Sequence, residues 1–237
     1  MNVYYWHVLC CIAISTASML KSATDVSIYE PVRAYIHKIQ QEHIKITEER
    51  KQRLDKVIAF IQAKLDNNEP AHLMFVCTHN SRRSHLSQIW AQTLAAYYGL
   101  DGVRAYSAGT EVTAFNERAV RALQRAGFAI RKLSEQTNPI YTVQYAHNAL
   151  PIHVFSKLVS DTTNPSKGFC AIMNCSQAEQ ACPVVPGAVM RVSLPYDDPK
   201  EFDGMPQEEK QYDECCRQIA RELIYVFSQV RSPKERK

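Results

Sequence analysis

Cys77 and Arg83, with five residues between them in the stretch AHLMFVCTHNSRRS at 71–84, carry the clearest chemical signal in this chain. A thiolate is a nucleophile, and a guanidinium can grip two oxygens of a tetrahedral anion with its planar fork. Ser84 follows at once, its hydroxyl placed to hydrogen-bond the sulfur and stabilise it as a leaving group. Thr78, His79, Asn80, Ser81, Arg82, Arg83 and Ser84 would together form an oxyanion-binding loop. A buried free cysteine followed by a solvated basic turn is the alternative, and the flanking elements decide between the two.

HLMFV is rich in strand formers and bounded by Pro70 and a polar loop, so it predicts a buried strand. From Ser84 onward, Leu86, Ile89, Trp90, Leu94 and Tyr97 recur at three- and four-residue spacing, with Gly99 as a stop, which predicts a helix. A strand end that runs into a helix N-terminus offers unpaired N–H groups and the positive end of the helix dipole. That junction is an anion site, and its field favours Cys77 as the thiolate. The alternation continues with a strand at 103–107 and a helix over 115–126, whose Ala119, Val120, Leu123 and Ala126 share one face, with Gly127 just past its end. Further strands are predicted at 152–156, 169–173 and 190–194, and a closing helix at 207–230 with Ile219, Leu223, Val226 and Phe227 facing inward. Strand and helix in alternation argue for an α/β fold with a parallel sheet and crossover helices. Residues 138–167 carry Pro139, Pro151 and Pro165 and are expected to be an insertion that adds a strand or hairpin over one edge.

CTHNSRRS at 77–84, YSAGTEVTAFNERAVRALQRAGFAI at 106–130 and DDP at 197–199 together resemble the low-molecular-weight protein-tyrosine phosphatase superfamily. NCSQAEQACPVVPGA at 174–188, leading into RVSLPYDDP, resembles its thioredoxin-coupled arsenate reductase branch. The resemblance covers about residues 71–230 and implies a four-stranded parallel sheet flanked by helices, the low-molecular-weight phosphatase fold. It also implies that Asp198, before Pro199, is the general acid, with Asp197 as second choice. The proline keeps that segment out of helix, as a mobile acid loop needs. Asn80 and Ser107 match positions that brace the loop. Cys175 and Cys182 match a second and a third thiol: one displaces arsenite from Cys77, and the other resolves the disulfide so that thioredoxin, or a similar thiol reductant, can reduce it. No bound cofactor and no metal are implied by these residues; beside Cys175 and Cys182 there is no second close cysteine pair and no histidine at zinc-ligand spacing.

Hydrolysis of phosphotyrosine proteins through a cysteinyl-phosphate is the competing reading, and it needs only Cys77, Arg83 and Asp198. Against it, phosphatases of the family place aromatic residues directly after the Asp-Pro pair, where this chain has Lys200, Glu201 and Phe202. A third reading, a binding module for phosphate or phosphopeptides without turnover, has no use for both Cys77 and Asp198. Three positions depart from the pattern. His79 replaces a usual Gly, which matters if that position needs φ above zero. Arg82 replaces a frequent Cys and is expected to add charge near the thiolate. Gln88 stands where some reductases have a Glu that helps bind potassium, which argues against the ion. Cys10, Cys11, Cys170, Cys215 and Cys216 are expected to be packing or incidental residues.

The remaining sequence frames this domain, taken as residues 70–232. Residues 25–69 show helical periodicity, with Leu54, Val57, Ile58, Ile61 and Leu65 on one face and Thr47 before Glu48 and Glu49 as a helix start, and predict a helical hairpin packed on the catalytic domain. Between Val3 and Leu20 there is no Lys, Arg, Asp or Glu, so residues 1–24 resemble a signal peptide or short membrane anchor, or an extension upstream of a true start at Met19. No basic residue precedes the apolar run, and a reactive thiolate needs a reducing compartment, so a cytoplasmic setting is expected over secretion or anchoring. Residues 233–237 are a basic tail. At 237 residues and 46% hydrophobic content the chain can bury one good core, and a formal net charge of +4 suits a small anionic substrate but not a nucleic acid.

Overall fold

A computed structural model of the protein describes residues 26–181 and 184–232. The expectations for residues 1–24, for the tail at 233–237, and for Cys10, Cys11 and Cys182 lie outside the described residues.

Two helices open the described chain, α1 (Glu30–Gln40) and α2 (Glu48–Asp66). The Thr47 hydroxyl accepts from the Arg50 N–H and caps α2. The α/β domain follows in the order β1 (Ala71–Cys77), α3 (Arg83–Tyr97), β2 (Val103–Gly109), α4 (Glu117–Arg125), β3 (Ala129–Lys132), β4 (Tyr141–Gln144), β5 (Ile152–Val154), β6 (Phe169–Met173), α5 (Ser176–Ala181), β7 (Ala188–Ser193) and α6 (Glu208–Gln229). The four parallel strands run β2-β1-β6-β7. Strand direction alternates side chains between the faces. Leu73, Phe75, Ile172 and Val192 join the larger apolar cluster with α1, α2, α3, α4 and α6, whereas Met74, Val76, Phe169, Ala171 and Met173 form a smaller cluster with Ala178 of α5, Cys175, Val185 and Val159. Helices therefore flank both faces, but unevenly.

The predicted hairpin of the insertion forms, though not on the edge of the main sheet. β3, β4 and β5 make a separate antiparallel sheet, and β3, at 129–132, was not among the predicted strands. The alternation in β4, with Tyr141 and Val143 buried between half-buried neighbours, is that of a sheet with one covered face. The helix expected from Phe115 begins instead at Glu117, because the Asn116 side chain accepts from the N–H groups of Arg118 and Ala119 and caps it. Gly127, at φ +104°, lets the chain turn directly beneath Pro31 and Val32, where a β-carbon would stand 2.7 Å from both. The N-terminal helices thereby pack onto the domain at this turn, and they pack against α6 through Val32, Ile36, Leu54, Val57 and Ile61. No helix among the described residues is long and apolar enough to cross a membrane.

Candidate active site

The parallel sheet delivers its functional residues to one edge. Cys77 ends β1 opposite Gly109 at the end of β2, and Met173 at the end of β6 pairs with Val76, so that Cys175 follows two residues later at the same edge. β7 ends at Ser193 and leads into the Asp197-Asp198-Pro199 segment. The order β2-β1-β6 reverses direction at β1, and the crevice beyond the strand ends at such a reversal is where open α/β sheets bind ligands.

From Thr78 to Arg82 the loop's carbonyls face outward. The Thr78 carbonyl accepts from the Glu111 N–H at 2.9 Å, the His79 carbonyl from Thr113 and Ser156 hydroxyls at 3.0 and 2.9 Å, and the Ser81 carbonyl from the Asn116 N–H at 2.9 Å. Among the described residues, no acceptor takes the N–H groups of Thr78, His79, Asn80, Ser81 or Arg82. Asn80, at φ +43°, supplies the left-handed residue of the kind that turns successive N–H groups to one side in backbone nests. The condition that would have made His79 matter does not arise: His79 is not at positive φ, and its neighbour Asn80 takes the left-handed turn.

Cys77 is 3% exposed, with its Sγ 3.1 Å from Ser84 Oγ, which also accepts from Asn80 Nδ2 at 2.8 Å. The Asn80 side-chain oxygen Oδ1 in turn accepts from the Lys157 backbone N–H at 2.8 Å, so the Asn80 side chain ties Ser84 to the 157 segment. Arg83 Nη1 donates to the Tyr196 carbonyl at 2.9 Å and Nη2 to Asp198 at 2.5 Å, while Nε is buried without an acceptor. Asp198 thus lies against the arginine that an oxyanion would engage, and Asp197 is exposed to solvent. Ser107 donates to Gln88 at 2.6 Å, one layer behind the loop.

Arg82 does not lend its charge to the loop in the way its position implies. Its guanidinium donates to the Tyr212 hydroxyl at 2.8 Å and lies 3.6 Å from Asp203. Gln88 is neutral, and its side-chain oxygen accepts from the Ser107 hydroxyl.

Cys175 is 1% exposed and its Sγ lies 3.3 Å from Thr78 Oγ1, so a second thiol abuts the loop. The same sulfur accepts from the Ala178 N–H at 3.3 Å. Burial raises the other three described thiols, Cys170 and Cys216 to about 12 and Cys215 further, which keeps them protonated and inert.

Four residues at the site escaped the sequence reading. Gly109 lies under the loop, where a β-carbon would stand 2.8 Å from the Asn80 nitrogen and the Thr78 carbonyl; its position in YSAGT is the signal that could have found it. Lys157 is buried beside Asn80, and desolvation lowers its ammonium to about 8. His85 is buried behind the first turn of α3, and burial together with the Lys157 charge lowers it to about 3, so it is neutral and structural. Tyr196 was visible only as the residue two before Asp198.

A profile of the low molecular weight phosphotyrosine protein phosphatases matches residues 72–145. An arsenate reductase of Bacillus licheniformis is 32% identical over 157 residues, which is 66% of this chain and 94% of that protein. An arsenate reductase of Bacillus subtilis is 32% identical over 136 residues, 57% of this chain and 79% of that one. Among solved structures, a low molecular weight phosphotyrosine phosphatase from Vibrio cholerae superposes with a TM-score of 0.47 at 13% identity, over 67% of this chain and 95% of its own. The chain belongs to the low molecular weight phosphotyrosine protein phosphatase superfamily, in the branch of the arsenate reductases.

Proposed function

We propose that the protein reduces arsenate through a relay of Cys77, Cys175 and Cys182, with thioredoxin or a similar dithiol protein as reductant. The oxyanion sits in the nest of loop N–H groups and draws Arg83 away from Asp198. Cys77 attacks arsenic and Asp198 protonates the departing oxygen, which leaves as water. Cys175 then attacks the Cys77 sulfur; the sulfur–arsenic bond breaks with its electron pair going to arsenic, so As(V) becomes As(III) while two thiols become one disulfide. Cys182 attacks Cys175, frees Cys77, and leaves a Cys175–Cys182 disulfide for the reductant. A relay of this kind requires a reducing compartment, which favours the cytoplasm.

One observation carries this reading over phosphotyrosine hydrolysis: a buried second thiol 3.3 Å from a side chain of the oxyanion loop. A hydrolase needs no such group. The exposed Lys200 and Glu201 after Pro199, in place of an aromatic wall, support the same choice. The test is thioredoxin-dependent arsenate turnover and aryl phosphate hydrolysis by wild type, Cys77→Ser and Cys182→Ser. Cys77→Ser is expected to lose both activities, and Cys182→Ser to lose multiple turnover of arsenate while hydrolysing the ester. Full arsenate turnover by Cys182→Ser would leave the relay without its third thiol, and wild-type rates from Cys77→Ser would end the mechanism.

A further inference from the structure

Arg50 links the N-terminal helices to the site. Arg50, in the first turn of α2, reaches into the domain with its side chain 15% exposed. Its Nε donates to Glu222 Oε2 of α6 at 2.9 Å, its Nη2 lies 2.8 Å from the same oxygen, and its guanidinium carbon stands 4.7 Å over the ring of Tyr196. Tyr196 closes the triangle by donating its hydroxyl to Glu222 Oε2 at 2.8 Å. Burial keeps that hydroxyl protonated at any ordinary pH, so it remains a donor.

Tyr196 is a node of the site. Its carbonyl holds Arg83 Nη1, its N–H donates at 3.1 Å to the carbonyl of Asn174, the residue before Cys175, and Asp198 follows it by two. A shift of this residue would move the anion-binding arginine, the acid and the second thiol together. The ring of Tyr196 is held from the extension by a cation–π contact and a shared carboxylate, and the planar fork of an arginine makes both at once.

We infer that Arg50 is a positioning residue for oxyanion binding, clamping Tyr196 so that its carbonyl aims the Arg83 fork. The inference rests on Arg83 holding the oxyanion, as proposed above, but not on the anion being arsenate. It makes the helical hairpin part of the functional site, beyond the structural extension its sequence predicts.

The test measures the Kd of inorganic phosphate by calorimetry, with thermal melting alongside, for wild type, Arg50→Met/Glu222→Gln and Tyr196→Phe. The double variant removes both buried charges, so neither is left unpaired and the fold is expected to melt near wild type. Phosphate should bind it roughly threefold to tenfold more weakly, the loss expected of one misaimed charge-assisted hydrogen bond. KM for the oxyanion should rise by the same factor, with kcat changed less. Arg50→Lys, which keeps the charge but not the stacked fork, should fall between the two. Unchanged phosphate affinity in a double variant that melts like wild type overturns the clamp. If the double variant melts early, Tyr196→Phe, which removes one hydroxyl, decides by the same affinity criterion. A wild type that binds phosphate in a clamp-dependent way yet never reduces arsenate would refute the substrate and leave the clamp standing.

Discussion

At the scale of single residues, the site is a set of competing claims on Arg83. Asp198 occupies one of its nitrogens at 2.5 Å and the Tyr196 carbonyl another, and in the proposed mechanism an oxyanion taken by the fork exchanges with the carboxylate. Asp198→Asn should therefore separate two quantities: kcat for aryl phosphates falls by about 10²- to 10⁴-fold with loss of the proton donor, while phosphate affinity holds or improves. A parallel loss of affinity would show that Asp198 helps to bind the anion. Lys157 makes a separate prediction. Its folded value of about 8 lies below the ordinary 10.5, so between those values the unfolded chain binds more protons, and the burial penalty is full below pH 8 and fades as pH rises toward 10.5. Lys157→Met should be more stable than wild type by roughly 2 kcal/mol at pH 7, with the difference shrinking toward pH 10.5 in urea titrations. A difference independent of pH would mean that the lysine is not desolvated.

Among the elements, what positions the loop is less β1 than the segments that take its carbonyls. Thr110, Glu111, Thr113, Asn116 and Ser156 donate to the loop's outward carbonyls, and that leaves the loop N–H groups without a protein acceptor among the described residues. Gly109→Ala would press a methyl group against the backbone of Thr78 and Asn80 and should cost about 1–3 kcal/mol of stability as well as at least tenfold in phosphate affinity. Wild-type affinity in this variant would mean that the loop is set by β1 and α3 alone. The parts of the site that obey local rules were legible in the sequence. A strand over 72–76 leading to Cys77, a helix from Ser84 and a cap at Thr47 follow from periodicity and capping chemistry, and the structure extends the strand to Cys77 and starts the helix one residue earlier, at Arg83. The carbonyl partners were not, because Ser156 and Thr113 reach the loop across 77 and 34 residues of sequence, and no local pattern encodes such a contact. The same holds for Arg82, whose partners Tyr212 and Asp203 lie more than a hundred residues away in sequence and pair a charge that position alone assigns to the thiolate. The insertion was read correctly as a hairpin former but not as a separate sheet, since β3 is a short, largely exposed strand without the pattern that announces one.

For the whole molecule, the α/β domain, the small antiparallel sheet and the N-terminal helices share one core, and each reaches the oxyanion loop by a different route. The insertion does so through Ser156 and Lys157, the extension through Arg50 and Tyr196, and the closing segments through Asp198 and Cys175. The central claim is that the buried thiol beside this loop is a chemical participant. The most direct measurement is arsenite formation by Cys175→Ser with a thioredoxin reducing system, with aryl phosphate hydrolysis by the same preparation as control. The account predicts arsenite formation at background while ester hydrolysis stays near wild type. Arsenate reduction by Cys175→Ser at the wild-type rate would contradict it.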